Sequence, residues 1–312
     1  MHHLHNTAYI FPGQGSQAAG MGKDIAERFS EARETFEAID DALGFSISKL
    51  CFEGPEEQLK LTANTQPAIL AVSSAIDAVL KAHAKVRPDI VAGHSLGEYS
   101  AIVCAGGLSA AEAARLVRAR GEFMQDAVPA GDGAMAALIG PAIEEVESIC
   151  AEAANGEVLS PANINAPGQI VIAGARAAVE RAIEVAKGRG VRKSVMLPVS
   201  APFHCALMAP ASERLRPLLD DAPFTDLQFP LVTNVDASPV GTDHAVRNAL
   251  ARQVVSPVRW VESVELMIER GVRRFVEVGP GAVLAGLIKR INRDVETINV
   301  NNAETLESFL AR

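Results

Sequence analysis

A Gly-His-Ser-Leu-Gly pentapeptide at residues 93–97 restricts the architecture of this chain more than any other part of its sequence. It follows a short apolar run at residues 90–92, which predicts a buried parallel strand, and it precedes a helical pattern. At such a corner two glycines permit a sharp turn that lifts the serine hydroxyl above the sheet. Ser95 is therefore the predicted nucleophile, and the alternative is that Gly93 and Gly97 merely serve a tight turn.

The remaining sequence alternates short β-rich runs with longer helical patterns, which indicates an α/β fold. With 312 residues, 48% of them apolar and 21% charged, the chain has the composition of a folded globule of about two domains. Further strands are predicted at residues 7–11, 231–234 and 274–278, and helices at 25–43, 66–85, 243–253, 261–270 and, as one long final helix, after 281.

Residues 134–197 show a separate pattern of predicted strands and helices. Their pattern reads strand, helix, strand, strand, helix, strand, which is the βαββαβ order of a ferredoxin-like unit. Glycine and proline at residues 128–133 and 198–202 indicate hinges on either side. We therefore predict a large domain formed by residues 1–128 and 201–312, with a small ferredoxin-like domain inserted at residues 129–200.

Charge and composition argue against several classes of protein. The net charge of -9, from 29 basic and 38 acidic residues, disfavours a nucleic-acid binder. No apolar run reaches the roughly 18 residues of a membrane span, and the start lacks the pattern of an export signal. The four cysteines are far apart and indicate neither a zinc site nor a disulfide framework. We expect a cytoplasmic protein with no metal and no membrane partner, and assign no role to His2, His3 and His5.

A serine nucleophile needs a positioned base, which is usually histidine. His94 adjoins Ser95, but neighbouring side chains on a tight turn point apart. The other histidines outside the motifs are His2, His3, His5, His83 and His244. His204 remains, at the predicted return from the small domain, where a cleft would open. His204 is the predicted base, and the alternative is a structural histidine.

Arg120 stands among apolar residues of a predicted helix. Ser109 and Glu112 form a capping-box pattern, so the helix should begin at Ser109. Its apolar stripe consists of Ala113, Leu116, Val117, Phe123, Met124 and Ala127. A buried guanidinium needs an anionic partner. That partner is either an internal carboxylate or the carboxylate or phosphate of a ligand, and the spacing alone leaves both open.

The segment at residues 13–18, Gly-Gln-Gly-Ser-Gln-Ala, matches the G-x-G-x-x-G/A pattern of dinucleotide-binding proteins. Pro12 stands where the strand of that motif usually runs straight into the turn, which weakens this interpretation. The other interpretation is a loop whose backbone N–H groups, together with that of Leu96, cradle an oxyanion.

Five motifs carry a resemblance that covers residues 7–300. They are residues 11–17 (Phe-Pro-Gly-Gln-Gly-Ser-Gln), 93–100 (Gly-His-Ser-Leu-Gly-Glu-Tyr-Ser), 118–121 (Arg-Ala-Arg-Gly), 202–208 (Pro-Phe-His-Cys-Ala-Leu-Met) and 277–281 (Glu-Val-Gly-Pro-Gly). In this order they resemble the malonyl-CoA:acyl carrier protein transacylases of type II fatty acid synthesis. The resemblance implies an α/β-hydrolase-like large domain with a parallel sheet and an inserted ferredoxin-like small domain.

The same resemblance implies roles for individual residues. Ser95 would be the acylated residue, and His204 would act as base and then as acid. The N–H groups of Gln14 and Leu96 would form the oxyanion hole, and Arg120 would pair with the malonyl carboxylate. The main-chain carbonyl of Gln253 would orient the histidine, and Asn163 would line the cleft. Phe203 precedes the histidine where some members of the family have serine. Its ring leaves little room for an α-methyl group, so we expect malonyl to be preferred over methylmalonyl.

The resemblance also implies the substrates and partners. Malonyl-CoA would donate the malonyl group and the phosphopantetheine thiol of acyl carrier protein would accept it, so that both thioester carriers are substrates and no cofactor is expected. We expect a monomer. A serine thioesterase or esterase would share the serine and histidine and differ in letting water reach the acyl-enzyme.

Overall fold

The structure, a computed structural model, describes residues 6–199 and 201–312. His2, His3, His5 and Ser200 lie outside the described residues. The strands are β1 (Thr7–Phe11), β2 (Ile90–Gly93), β3 (Gly133–Ile139), β4 (Leu159–Ala166), β5 (Gln169–Ala175), β6 (Lys193–Met196), β7 (Leu231–Val232), β8 (Pro239–Val240), β9 (Arg274–Val278) and β10 (Glu296–Val300).

Helices surround these strands. They are α1 (Lys23–Arg28), α2 (Ser30–Leu43), α3 (Ile47–Glu53), α4 (Glu56–Leu59), α5 (Thr62–His83), α6 (Gly97–Cys104), α7 (Ala110–Asp126), α8 (Ile143–Ala154), α9 (Arg176–Gly188), α10 (Ala209–Asp221), α11 (Asp243–Gln253), α12 (Trp260–Glu269), α13 (Val283–Ile291) and α14 (Ala303–Leu310). The α/β class predicted from the sequence is confirmed. In the part of the chain that the structure describes, no helix combines the length and the apolar character needed to cross a membrane.

The larger sheet has six strands in the order β10-β9-β1-β2-β7-β8, all parallel to their neighbours except β8. Every residue of β1 and β2 is buried, because helices cover both faces of such a sheet. The register pairs Phe11 with Gly93 at the carboxyl ends of the two central strands. The loop after β1 and the pentapeptide after β2 therefore leave the sheet side by side.

The smaller sheet is antiparallel, with the order β4-β5-β3-β6, and α8 and α9 share its apolar core. The order of elements from β3 to β6 is the strand, helix, strand, strand, helix, strand order predicted from the sequence. β4 of the smaller sheet contacts the segment between α11 and α12, where Ile164 N–H donates to the carbonyl of Val258 at 2.9 Å and Val258 N–H donates to that of Ala162 at 2.8 Å. Main-chain hydrogen bonds therefore connect the smaller sheet to the rest of the chain at this point.

Two of the predicted helices begin or divide at other residues than predicted. The helix predicted at residues 25–43 is two helices, because Phe29 has an extended backbone between α1 and α2. The helix predicted from residue 66 begins at Thr62, since Pro67 fits inside α5. Proline has no N–H to give to the carbonyl of Ala63, and Arg118 donates to that carbonyl instead at 3.1 Å.

The single long final helix predicted after residue 281 was wrong. α13 ends at Ile291, and β10 and α14 follow it. β10 is an edge strand whose residues are mostly only partly buried, so its apolar pattern is weak. A polar side chain marks the start of α14, where Asn302 and Thr305 form a capping box.

Glu277 at the end of β9 fixes the start of α13. Its buried carboxylate accepts hydrogen bonds from the N–H groups of Leu284 at 3.0 Å and Ala285 at 2.8 Å. Because Glu277→Ala leaves both donors without this partner, we expect the free energy of unfolding to fall by about 2 to 4 kcal/mol in chemical denaturation. The exposed Glu144→Ala on α8 is the control, with an expected change within about 0.5 kcal/mol. A Glu277 variant as stable as the parent would contradict this account of α13.

Candidate active site

The turn that carries Ser95 has no room for side chains at its two glycines. A Cβ on Gly93 would lie 1.9 Å from the carbonyl carbon of Gly97, and one on Gly97 would lie 2.0 Å from the carbonyl oxygen of Phe11. Ser95 itself has a φ of 52°, in the left-handed region that non-glycine residues rarely adopt. Such strain at a non-glycine residue is typical of functional sites, which favours the functional interpretation of the turn over the purely structural one.

Ser95 and His204 are in direct contact. The Oγ of Ser95 lies 2.7 Å from the Nε2 of His204, and the Nδ1 of His204 lies 2.9 Å from the carbonyl oxygen of Gln253. Since a carbonyl can only accept, Nδ1 carries the proton and Nε2 is left to accept from the serine hydroxyl. The imidazole is therefore held in the tautomer that a general base requires.

The charge state of His204 follows from its surroundings. Burial, and next the positive charge of Arg120, lower the pKa of His204 to about 3. His204 is consequently neutral at physiological pH and free to take a proton. His94, in contrast, points away from Ser95, as the sequence analysis expected, and its Nε2 lies 2.8 Å from the Oδ1 of Asn165 in the small sheet.

Arg120 is buried, with 1% of its surface exposed. Its guanidinium donates to the Oε1 of Gln66 at 2.7 Å, to the Oε1 of Gln253 at 3.0 Å and to the Oγ of Ser95 at 3.0 Å. Among the described residues no carboxylate forms an ion pair with it, and its Nε has no hydrogen-bond partner. Of the two partners that the sequence left open, the internal carboxylate is not found among the residues that the structure describes.

The loop after β1 lies against the turn that carries Ser95. A Cβ on Gly13 would lie 2.4 Å from the carbonyl oxygen of His94, so only glycine permits this approach. Within the described part of the chain, the backbone N–H groups of Gln14 and Leu96 have no hydrogen-bond partner. The next helix, α1, begins only at Lys23, unlike the immediate strand-to-helix turn of a dinucleotide site. This geometry favours the oxyanion interpretation of the glycine-rich loop.

These residues share one cavity of about 230 Å³ between the two sheets. Ser95, His204, Arg120, Gln14, Leu96, Asn163 and Phe203 line it. Asn163 reaches it from β4, and Phe203 closes it beside His204 with only 7% of its surface exposed. A larger and more open hollow of about 770 Å³ lies beside residues 127–132, and none of the predicted site residues lines it.

The sequence analysis missed two polar residues of the site. Gln66 of α5 accepts from Arg120, and Glu98 of α6 accepts from the Nε2 of Gln253 at 2.9 Å. Burial raises the pKa of Glu98 to about 7, and the Gln253 amide lies between this carboxyl and Arg120. The signal for both was a polar residue in an apolar helix, but sequence spacing does not reveal what such a residue contacts.

Known proteins are similar in sequence to this chain over nearly its whole length. The model of the family described as "Acyl transferase domain" matches residues 8–306. A protein named malonyl CoA-acyl carrier protein transacylase from Escherichia coli strain K12 is 49% identical over 303 residues, which are 97% of this chain and 98% of that protein. This chain belongs to the malonyl-CoA:acyl carrier protein transacylase family.

Solved structures of the family share the fold. The crystal structure of an acyl carrier protein S-malonyltransferase from Vibrio cholerae has a TM-score of 0.95 at 47% identity and covers 97% of this chain and 99% of that one. A malonyl-transacylase solved in complex with a type II PKS acyl-carrier protein has a TM-score of 0.95 at 46% identity, covering 98% and 99%. The architecture of this transacylase-family chain is therefore that of its relatives.

The charge of Arg120 should contribute, after burial, to the low pKa of His204. Arg120→Met keeps much of the side-chain volume and removes the charge, so we expect the pKa of His204 to rise toward the ordinary imidazole range. Histidine NMR titration of the folded variant would measure it. Arg115→Met, on the same helix but half-exposed and paired with Glu112, should leave the pKa of His204 unchanged. An unchanged pKa in the Arg120 variant would show that burial alone sets it.

Proposed function

We propose that this chain transfers the malonyl group of malonyl-CoA to the phosphopantetheine thiol of acyl carrier protein, through a covalent malonyl-Ser95 intermediate. The transfer would supply the extender unit for fatty acid synthesis. The names of its relatives support the substrate pair, and the arrangement of Ser95, His204 and Arg120 supports the chemistry.

One observation carries the proposal: the buried guanidinium of Arg120, which forms no ion pair with any carboxylate of the described residues, lies 3.0 Å from the Oγ of Ser95. In malonyl-CoA the carboxylate carbon is two C–C bonds, each about 1.5 Å, from the carbonyl carbon that Ser95 would attack. A short dicarboxylic thioester therefore places its free carboxylate within reach of Arg120 when its carbonyl lies at Ser95. A monocarboxylic acyl group would leave the guanidinium without an anion.

In the first half-reaction the Nε2 of His204 takes the proton of Ser95 as Oγ attacks the thioester carbonyl. The N–H groups of Gln14 and Leu96 donate to the oxyanion of the tetrahedral intermediate. When the intermediate collapses, the carbon–sulfur bond breaks and His204 returns the proton to the sulfur, so that CoA leaves as a thiol. Ser95 is left as the malonyl ester.

In the second half-reaction the thiol of the carrier's phosphopantetheine gives its proton to His204 and attacks the malonyl ester. The ester bond to Ser95 breaks, and His204 returns the proton to Oγ. Both thioester carriers are consumed as substrates, so the proposed cycle uses no resident cofactor.

We also propose the domain assignment predicted from the sequence, with an α/β-hydrolase-like large domain at residues 1–128 and 201–312 and a ferredoxin-like insertion at residues 129–200. The described strands support it. The strands of the six-stranded sheet lie up to Gly93 and from Leu231 onward, and those of the four-stranded sheet lie within residues 133–196. The strand order β4-β5-β3-β6 is consistent with a ferredoxin-like unit.

Intact-mass measurement after mixing with malonyl-CoA alone tests the proposal. We expect a stable malonyl adduct on the parent, none on Ser95→Ala, and less adduct with methylmalonyl-CoA because Phe203 closes the cavity. Adding holo acyl carrier protein should move the adduct to the carrier. Steady release of free malonate with no adduct would instead indicate a thioesterase, and no reaction at all would overturn the proposal.

Selectivity for malonyl should depend on Arg120. For Arg120→Met we expect kcat/KM for malonyl-CoA to fall by about 100-fold or more, because a charge-assisted pairing is lost, with little loss for acetyl-CoA. Arg115→Met is the matched control and should keep the parent's preference. Equal losses for both substrates would assign Arg120 a structural role only.

A further inference from the structure

Asn234 joins the two sides of the turn that carries Ser95. It follows β7 and is completely buried. Its Oδ1 accepts from the backbone N–H of Ser95 at 2.7 Å, and its Nδ2 donates to the carbonyl of Gly93 at 2.6 Å. Since an N–H can only donate and a carbonyl can only accept, these two contacts fix the orientation of the amide.

Beyond the end of the β2–β7 pairing, the side chain of Asn234 supplies the hydrogen bonds that a neighbouring strand would otherwise make. β2 and β7 pair as far as Ala92 with Val232, and beyond this pair the chain after β2 turns sharply into α6. The polar groups of Gly93 and Ser95 then need partners, because unpaired buried backbone groups are strongly unfavourable. One amide supplies both partners, and it does so around the residue whose φ of 52° is unfavourable for serine.

The carboxyl group of Glu98 fixes the backbone of Asn234. The Oε2 of Glu98 accepts from the backbone N–H of Asn234 at 3.0 Å and from the Nε2 of Gln253 at 2.9 Å. Gln253 also donates to the carbonyl of Ser95 at 2.9 Å, and its own carbonyl lies 2.9 Å from the Nδ1 of His204. The backbone of the nucleophile and the group that orients its base are therefore joined through the same buried contacts.

We propose that Asn234 is a positioning residue that holds the backbone of Ser95 in its left-handed conformation and thereby keeps the Oγ of Ser95 in register with the Nε2 of His204. Asn234 does not touch the reacting atoms, so it acts through Ser95. The inference rests on the proposed function only in taking Ser95 as the nucleophile, and it applies equally to a hydrolase that uses the same pair.

The test uses a small uncharged fluorophosphonate and the full chain. Ser95 Oγ forms a bond to phosphorus, the phosphorus–fluorine bond breaks, fluoride leaves, and His204 takes the serine proton. The probe has no carboxylate, so its reaction depends on the Ser95–His204 pair and not on malonyl recognition. For Asn234→Ala we expect the labelling rate of Ser95 to fall by about 100-fold, since misplacement by about 1 Å has effects of that size.

Thr233→Val is the matched control. Thr233 is as buried as its neighbour Asn234, and its hydroxyl donates to the carbonyl of Ser238 at 3.3 Å. We expect this variant to label within about threefold of the parent. Circular dichroism and thermal melting would establish that the variants are folded. A folded Asn234→Ala protein that labels at the parent's rate would overturn the proposal.

Asn234→Asp provides a second test if the alanine variant does not fold. A protonated Asp has one acceptor and one donor, like the amide, whereas the ionised form has no donor for Gly93 and is repelled by Glu98. The ionisable groups around this site, Glu98, Arg120 and His204, are common to variant and parent. We expect the labelling rate of the variant, divided by that of the parent, to increase as pH falls. A ratio independent of pH would contradict the proposal.

Malonyl-CoA separates the failure of this inference from that of the proposed function. If the chain forms no malonyl adduct but Asn234→Ala still lowers fluorophosphonate labelling, the positioning role stands and the proposed substrate is wrong. If the parent is malonylated and Asn234→Ala labels and malonylates at the parent's rates, the function stands and the positioning role is wrong.

Discussion

Arg120 is a buried cation that no carboxylate of the described residues neutralises, and the rest of the site depends on this charge. Gln66 and Gln253 accept hydrogen bonds from the guanidinium without supplying negative charge, so its burial is not offset by an ion pair with either residue. Together with burial, the same charge lowers the pKa of His204, so that the imidazole stays neutral. A substrate carboxylate would supply the missing anion at the moment when the acyl group reaches Ser95.

Geometry at the strand ends makes this arrangement possible. Gly93, Gly97 and Gly13 let three backbone segments approach more closely than any side chain would allow, and Ser95 and His204 both have positive φ values. Parallel strands bring the loop after β1 and the turn after β2 to the same edge of the sheet. The small sheet, held along β4, closes the cleft from the other side.

Local sequence patterns predicted the α/β class, most strands of both sheets and the candidates Ser95 and Arg120, whereas Gln253, Asn163 and Phe203 were named from the family resemblance. Ser95 lies in a motif with its own turn chemistry, and Arg120 interrupts an apolar helical stripe. Gln66, Glu98 and Asn234 were not predicted, since their partners are far away in the sequence and no local pattern identifies them. The break at Phe29 was missed for a related reason, since the hydrophobic periodicity continues across it while the backbone does not.

The central claim is that the guanidinium of Arg120 binds the free carboxylate of the acyl group. A crystal structure of the malonylated enzyme, trapped by omitting acyl carrier protein, tests it most directly. The account predicts a malonyl ester on Ser95 whose carboxylate oxygens lie about 2.7 to 2.9 Å from nitrogens of Arg120, the range of charge-assisted hydrogen bonds. A malonyl carboxylate directed into solvent, with Arg120 still bonded only to Gln66 and Gln253, would contradict it.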